Sequence, residues 1–296
     1  MKNIIALLIV SLLLFSACKD DFFDQVINVD IPEHTPSLSI TSNLSNVDTI
    51  LWVYVSSSIG ILENGDPESI TDAKVDLYKN GTLFQNLPFQ EEGFYTTQLP
   101  QPLGNEDAEY ELRVASTGFE PVSASQKMPA QIDISAATFD ADGTINEDGD
   151  RVDEVIVTFQ DKKDEANYYK VDANITYIEN NGESYSYPIT FNSTDPSIIE
   201  GDDGLYLSDA FLDGEKYELR LWNYEIYNDA YMNDAKIFIR LVNVSPEKYY
   251  WETSLRNAQN AEDNPFAEPA VIFSNIENGY GIFSLESVGP DFIIVL

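Results

Sequence analysis

Short stretches in which apolar and polar residues alternate, separated by turn residues, dominate this sequence. In "TILWVYVSSS", for example, Leu51, Val53 and Val55 fall on one face, which is the two-residue period of a half-buried strand. The same period recurs in "DEVIVTFQD", "NYYKVDANITYIEN", "KYELRLWNYEIY" and "AKIFIRLVNV". Short alternating strands at regular spacing are typical of packed antiparallel sheets. The sequence therefore predicts a mainly all-β protein.

Turn residues suggest how these strands are grouped. Asn80-Gly81 interrupts "AKVDLYKNGTLFQ", and this dipeptide favours a type I′ hairpin turn because both residues tolerate a positive φ. Pro129 and the following "AQIDIS" mark a boundary. We therefore expect a β-sandwich domain over residues 36–130, followed by a second, larger antiparallel β domain over residues 131–296.

One segment of the second domain breaks the two-residue period. "SPEKYYWETSLRNAQN" places Ser245 before Pro246 and Glu247. A serine N-cap, a proline at the first helical position and an acid in the first turn are typical of a helix start. We expect one short helix over about residues 246–260.

The N-terminus carries the layout of a secretory signal. Lys2 precedes the apolar run "IIALLIVSLLLF", and residues 1–17 form the predicted signal peptide. Cys18, the only cysteine in the chain, follows directly in "FSAC". This arrangement resembles the lipobox of bacterial lipoproteins, in which the cysteine is acylated and becomes the first mature residue. The resemblance implies a membrane anchor at Cys18 and a lipidated acidic tether over residues 18–35.

Charged residues follow the cysteine immediately. Lys19, Asp20 and Asp21 in "CKDDFFD" resemble the surface-export signal of Bacteroidetes-type lipoproteins. That resemblance implies an outer-membrane lipoprotein that faces the cell exterior. The alternatives are a merely solvated tether and a lipoprotein that faces the periplasm.

Composition and charge exclude several functions. The chain holds 51 acidic against 16 basic residues and has a net charge of −35, so we expect no binding to nucleic acid. His34 is the only histidine and lies in a proline-flanked linker, where it cannot be positioned as a catalytic base. No pair of carboxylates stands out for glycoside hydrolysis. We expect a protein that is not an enzyme and needs no cofactor, with calcium as the one candidate ion.

The calcium candidate is the acidic segment "FDADGTINEDGDRVDE". It places oxygen ligands at alternating positions around glycines, as calcium loops do, although the spacing departs from that of an EF-hand. The alternative is an ordinary acidic turn between two strands, and a second acidic turn lies at residues 200–204. The candidate ligands are Asp140, Asp142, Asn146, Asp148, Asp150 and Asp153.

Two family resemblances extend over longer stretches. Residues from "ITDAKVDLYKNGTLFQ" to "YELRVASTGFEP" resemble a carboxypeptidase-regulatory-like β-sandwich, an Ig-like structural module. The ordered segments "VTFQDKKDEANYYKV", "LYLSDAFLDGEKYELRL", "SPEKYYWETSL" and "NPFAEPAVIFSNIENGYGIFSLESV" resemble a Bacteroidetes family of uncharacterised outer-membrane lipoproteins. Members of that family are typically encoded beside TonB-dependent transporters, which implies an outer-membrane β-barrel as partner.

Aromatic residues near the predicted helix suggest where such a partner binds. Tyr249, Tyr250 and Trp251 lie together in "EKYYWE", and aromatic side chains often anchor interfaces. We therefore expect a non-catalytic accessory subunit that binds its partner through the second domain. The alternative is a stand-alone glycan-binding or adhesive surface module.

Overall fold

A computed structural model describes residues 34–60, 63, 65–104, 107–201, 203–262 and 270–296. Strands make up most of the described chain, as the alternating pattern predicts. One α-helix, α1, spans Pro246–Glu262. The strands are β1 Leu38–Ser45, β2 Ile50–Ser57, β3 Lys74–Lys79, β4 Thr82–Leu87, β5 Phe89–Glu91, β6 Phe94–Gln98, β7 Glu109–Ala115, β8 Val122–Lys127, β9 Ile134–Ile145, β10 Arg151–Gln160, β11 Tyr168–Glu179, β12 Ser184–Pro188, β13 Ile198–Gly201, β14 Gly204–Ser208, β15 Lys216–Asn223, β16 Met232–Val244, β17 Tyr280–Val288 and β18 Phe292–Val295.

These strands form three sheets. The largest has 11 strands, nine of them in the order β13-β14-β11-β16-β17-β1-β2-β6-β5, with β12 paired to β11 and β18 paired to β16. A four-stranded sheet has the order β4-β3-β7-β8, and a three-stranded sheet has the order β15-β10-β9. Residues Pro36–Leu296 belong to one compact unit.

The four-stranded sheet packs on one half of the large sheet and encloses the first hydrophobic core. Val75, Leu77 and Leu112 of the small sheet contact Ile40 and Val53 of the large one within this core. Tyr95 and Tyr110 are its largest buried side chains. We call this half of the molecule the first sandwich.

The three-stranded sheet packs on the other half of the large sheet and encloses a second core. Val155, Val157 and Phe159 of β10 contact alternate residues of β11 and β16, including Val171 and Ile239. We call this half the second sandwich. Phe283 and Leu285 of β17 belong to the first core, and Ser287 shares their face of the sheet because alternate strand residues point to the same side. Ser287 lies opposite Asn243 of β16, which in turn shares its face with Ile239 of the second core. Both small sheets therefore cover the same face of the large sheet.

Helix α1 lies on the opposite face. Val242, Val244 and Val288 form a small cluster there with Tyr168 and Tyr206, and Tyr249 of the helix packs against it. The helix begins where the sequence predicts, and the Ser245 carbonyl accepts hydrogen bonds from the N–H groups of Lys248 (3.0 Å) and Tyr249 (3.3 Å). The Ser245 hydroxyl, however, is buried without a partner among the described residues, so this serine does not cap the helix through its side chain. No helix of the described residues is long and apolar enough to cross a membrane.

Two further local features can be compared with the sequence. The turn between β3 and β4 is the predicted hairpin turn, because Asn80 (φ 50°) and Gly81 (φ 75°) both have positive φ.

One strand pair departs from the expected antiparallel arrangement: β1 runs parallel to β17, from Ser39↔Tyr280 to Ser45↔Glu286. Two parallel neighbouring strands need a long crossover connection between them. Here that connection is nearly the whole chain between β1 and β17. The first core therefore contains Ile276, Phe283 and Leu285, which lie beyond the predicted boundary at residue 130.

Candidate functional site

The predicted lipidation site at Cys18 and the export signal of Lys19, Asp20 and Asp21 lie outside the described residues. Both therefore stay predictions from the sequence. Of the predicted tether, only His34 and Thr35 are described, and they directly precede the compact unit.

The acidic segment forms the turn between β9 and β10. The Asn146 side-chain oxygen accepts hydrogen bonds from the backbone N–H groups of Asp148 (3.1 Å) and Asp150 (2.8 Å). An asparagine that bonds the backbone ahead of it is a common way to stabilise a tight turn. Asp140 lies apart from this turn, opposite Glu154 in the β9–β10 register.

Asp153 has a different role, because it anchors this hairpin to another segment. Its carboxylate is buried and accepts backbone N–H groups of Asp142 (3.0 Å), Ile226 (2.7 Å) and Tyr227 (3.2 Å). Among the described residues, no group of three or more acids, histidines and cysteines is arranged to hold a metal ion. The structure thus assigns Asn146 and Asp153 to a turn and an anchor, and calcium binding stays a prediction.

The predicted aromatic cluster on α1 is only partly exposed. Tyr249 lies against the sheet, with its ring centroid 4.6 Å from that of Tyr168. The Tyr250 hydroxyl is 2.8 Å from the Tyr168 hydroxyl, while 46% of Tyr250 remains exposed. Burial raises the pKa of the Tyr168 hydroxyl well above its usual range, so the Tyr168 hydroxyl stays protonated. Trp251 is half-buried.

An apolar surface continues from Tyr250 onto the segment before β17. The Phe273 ring lies 5.8 Å from the Tyr250 ring, and the Phe273 N–H donates to the Ser254 hydroxyl at 2.8 Å. Val271 is 89% exposed and Ile272 is 40% exposed. We call Tyr250, Val271 and Ile272 the helix-edge patch. Exposed apolar groups that adjoin one another are typical of interaction surfaces.

A cavity of about 620 Å³ lies in the second sandwich, where the pairing of β11 is interrupted. On one edge β11 pairs with β14 over Tyr168 to Lys170 and with β12 over Asn174 to Ile178. The chain leaves β12 after Pro188 and crosses to the three-stranded sheet, where Asn192 and Trp222 exchange two backbone hydrogen bonds of 2.8 and 2.9 Å. The cavity opens at this interruption.

The cavity wall combines apolar, amide and charged groups. Val171, Ala173, Ile189, Phe191, Leu205 and Leu221 supply apolar surface, and Asn174, Thr190 and Asn192 supply polar surface. Charged side chains of both signs line it as well. Arg256 donates to Glu200 at 2.5 Å, and Arg240 lies opposite Asp172 in the sheet and donates to Asp291 at 2.5 Å.

A network of charges lies beside the cavity at the helix, in which Lys170, Lys248 and Glu252 are largely buried and Asp172 and Asp203 are partly exposed. The Lys170 ammonium is 3.2 Å from Asp203 and 3.4 Å from Asp172. Lys248 is 2.7 Å from Glu252 and 3.5 Å from Asp203. Burial by itself lowers the pKa of Lys170, but Glu286 and the neighbouring aspartates outweigh it and raise that pKa above its usual value. The network holds the β13–β14 hairpin against the helix.

A tyrosine ladder lies at the far end of β11. It consists of Tyr177, Tyr185 and Tyr187, whose ring centroids are all mutually adjacent at 5.6, 6.0 and 6.1 Å, and the Tyr185 ring makes interplanar angles of 25° with Tyr177 and 17° with Tyr187. Tyr187 is 47% exposed. Planar, partly exposed aromatic rings can stack on the apolar faces of ligands.

Fold and site together define an all-β protein with one helix on the outer face of a shared sheet and a cavity where that sheet is interrupted. The chain belongs to the family described as Domain of unknown function (DUF4249), whose sequence profile matches residues 24–289. A search of curated proteins found no match.

Comparison with solved structures found similar chains of low sequence identity. Three N-terminal domains of the bacteriophage RB49 highly immunogenic outer capsid protein (Hoc) are 8% identical with a TM-score of 0.24, covering 86% of this chain and 70% of that chain. The Yersinia pseudotuberculosis adhesin InvE is 15% identical with a TM-score of 0.19, covering 70% and 55%. The B domain of a biofilm-associated protein is 8% identical with a TM-score of 0.20, covering 88% and 85%. Likeness at this level carries no argument about function.

Proposed function

We propose that this chain is a surface-exposed outer-membrane lipoprotein of the Bacteroidetes type, held by a lipid on Cys18. It acts as a non-catalytic accessory subunit of a TonB-dependent transporter or a similar outer-membrane barrel complex. The observation that carries the proposal is the helix-edge patch, which leaves Val271 89% and Ile272 40% exposed beside Tyr250. An accessory subunit needs such a surface to bind its partner.

Because the predicted tether keeps the protein near the membrane, a small docking surface is sufficient to bind the partner. Between Cys18 and Pro36, where the compact unit begins, the chain can extend by at most about 60 Å. A body confined this close to the membrane meets a barrel in the same leaflet at high effective concentration. The patch itself then needs to provide specificity more than affinity.

The partner experiment changes the patch alone. The double variant Val271→Glu with Ile272→Glu keeps the lipidated chain and places two charges on the docking surface. In a pull-down from outer membranes in mild detergent, we expect at least about a tenfold loss of a co-purifying β-barrel protein, because apolar contacts at the centre of an interface contribute most to binding. The matched control is Leu83→Glu, since Leu83 is 52% exposed in the first sandwich. Equal recovery of the barrel by both variants would contradict the proposal.

The anchor has its own experiment. Cys18→Ala removes the acylated residue, and the protein should then leave the outer membrane in a high-salt wash. Replacing Lys19, Asp20 and Asp21 by alanine should keep the lipid but protect the protein from protease added to intact cells. Retention of Cys18→Ala in the membrane contradicts the lipid anchor, and equal cleavage of the second variant leaves only a solvated tether.

The tyrosine ladder favours a second candidate function, a stand-alone glycan-binding or adhesive module. The near-parallel rings of Tyr185 and Tyr187, with an interplanar angle of 17°, offer a flat surface on which a sugar ring can stack. A glycan array tests it directly. Binding that is lost in Tyr187→Ala and unchanged in the patch variant would favour this function over a transporter subunit.

A further inference from the structure

The interruption of β11 leaves a short backbone edge without a strand partner. Pairing with β14 ends at Lys170↔Tyr206, and pairing with β12 starts at Asn174↔Pro188. Ile189 follows Pro188 and donates its N–H to the Ala173 carbonyl at 2.8 Å. No strand of the described chain pairs with Val171 or Asp172 on this edge.

The orientation of this edge follows from strand geometry. Neighbouring residues of a strand direct their backbone groups to opposite edges, so alternate residues share an edge. Because the Ala173 carbonyl is bound on the β12 side, Val171 and Ala173 both direct their backbone groups toward the interruption. Among the described residues, no strand pairs with Ala173 on this edge, and no hydrogen bond outside the strand ladders engages the Ala173 N–H. The cavity therefore has a peptide donor and a peptide acceptor, the Val171 carbonyl, on its wall.

These two groups have the spacing of a parallel ladder. A residue of a bound chain that lies opposite Asp172 accepts the Ala173 N–H through its carbonyl and donates its own N–H to the Val171 carbonyl. From Val171 to Ala173 the strand rises by about 7 Å, so one residue of a short peptide pairs with this edge and its two neighbours occupy the rest of the cavity. A volume of about 620 Å³ lies within the usual range of ligand sites.

The side chains at the mouth match the ends of a short peptide. Arg240 and Arg256 line the cavity, and each has further guanidinium N–H groups beyond its bond to Asp291 or Glu200. A guanidinium binds a terminal carboxylate well. Asp172 and Asp203, which also line the cavity, can receive a terminal ammonium. Mixed charges of this kind suit a zwitterion better than a polyanion.

We propose that this cavity binds a short extended peptide of about three residues, which completes the ladder of β11 between β14 and β12. Main-chain hydrogen bonds fix its direction, and the apolar wall contacts its side chains. The site does not depend on the partner proposed above, because no residue of the helix-edge patch lines the cavity. Either proposal can therefore fail without the other.

Calorimetric titration of the full chain in mild detergent with trialanine tests this site. We expect trialanine to bind at millimolar concentration or below, and maltotriose of similar length to give no heat. Ala173→Pro removes the unpaired N–H and should weaken binding about tenfold. Ala173→Gly keeps that N–H and should bind within about threefold of the natural chain.

A second pair of variants keeps the test informative if Ala173→Pro does not fold. Arg240→Gln should weaken trialanine about tenfold but leave N-acetyl-trialanine-amide unchanged, since the blocked peptide has no carboxylate. Arg220→Gln is the matched control, because Arg220 of β15 also pairs with a glutamate but does not line the cavity. Absence of trialanine binding, equal binding by Arg240→Gln, or displacement of trialanine by maltotriose would overturn the proposal.

Discussion

The two sandwiches share one face of one sheet but differ in what they bury and in how completely their strands pair. Among the described residues, 36–130 bury one charged side chain, Asp76, whereas residues 131–296 bury six: Asp153, Asp161, Lys170, Asp209, Glu252 and Glu286. Buried charges cost free energy unless they are paired. The first sandwich thus resembles a plain scaffold. The second sandwich carries a helix, a charge network and a cavity, and its buried charges lower its net stability. This difference favours the second sandwich as the location of the proposed binding sites.

The largest expected effect tests the claim that the two halves depend on one sheet. Phe283→Ala empties a fully buried position of the first core and should lower the free energy of unfolding by about 3–5 kcal/mol, as measured by urea denaturation. The first sandwich should unfold earlier although residue 283 lies near the C-terminus. Ile293→Ala, at a position that is 50% exposed, is the control. A loss below about 1 kcal/mol for Phe283→Ala would contradict the role of β17 in the first core.

A lysine pair sharpens the contrast in charge. Lys170→Met removes a buried cation whose neighbours are Asp172, Asp203 and the buried Glu286, and should cost about 3 kcal/mol because those carboxylates lose their counter-charge. Lys127→Met removes the exposed partner of Asp107 in the first sandwich and should leave urea stability unchanged, since exposed pairs contribute little. Similar values for the two variants would remove the distinction between the halves.

A smaller effect is expected at the acidic hairpin. Asp153→Ala removes the acceptor of three backbone N–H groups and should cost about 2 kcal/mol. Asp140→Ala, which is exposed, should change stability by about 0.5 kcal/mol or less.

The effect of calcium on the melting temperature tests the same hairpin. Saturating calcium would stabilise a binding chain by about 2.7 kcal/mol at a hundred times Kd, a melting shift of several degrees that a chelator would reverse. We expect no shift. A reversible increase that Asp140→Ala abolishes would restore the calcium hypothesis.

The smallest effect concerns acid stability. Burial alone raises the pKa of Asp203, but Lys170 and Lys248 outweigh it and hold that pKa below its usual range. A carboxylate with a lowered folded-state pKa stabilises the protein above its unfolded-state pKa of about 3.9, and this contribution is lost as the pH falls through the folded-state value. The melting temperature should therefore decrease less for Asp203→Asn than for the natural chain between about pH 7 and about pH 3. Asp107→Asn is the control, and parallel curves for all three proteins would contradict the assignment.

Local patterns made part of this fold predictable. The period of two identified the strands, Asn80-Gly81 identified a hairpin turn, and Ser245-Pro246 identified the start of α1. Each of these signals depends on residues that are close in sequence. The β1–β17 pairing could not be predicted, because its partners lie more than two hundred residues apart and neither strand carries a mark of the other.

The cavity was missed for a similar physical reason. β11 is one continuous strand from Tyr168 to Glu179, so its own sequence gives no sign that two different strands share one of its edges. The nearest local signal in the sequence is the acidic turn at residues 200–204, and an acidic turn suggests an ion rather than a peptide. In the structure Glu200 and Asp203 of that turn instead pair with Arg256 and with Lys170 and Lys248. Such pairings require the fold.

The most direct test of the claim that function lies in the second sandwich is amide hydrogen exchange, residue by residue, with and without trialanine. Among the described residues, no strand pairs with Ala173 on the interrupted edge, so the Ala173 N–H should exchange faster than the paired amides of β11 in the free chain. Trialanine should slow it, while the amides of Leu77 and Leu112 in the first sandwich should not change. Protection of Ala173 without peptide, or no added protection with saturating trialanine, would contradict the account.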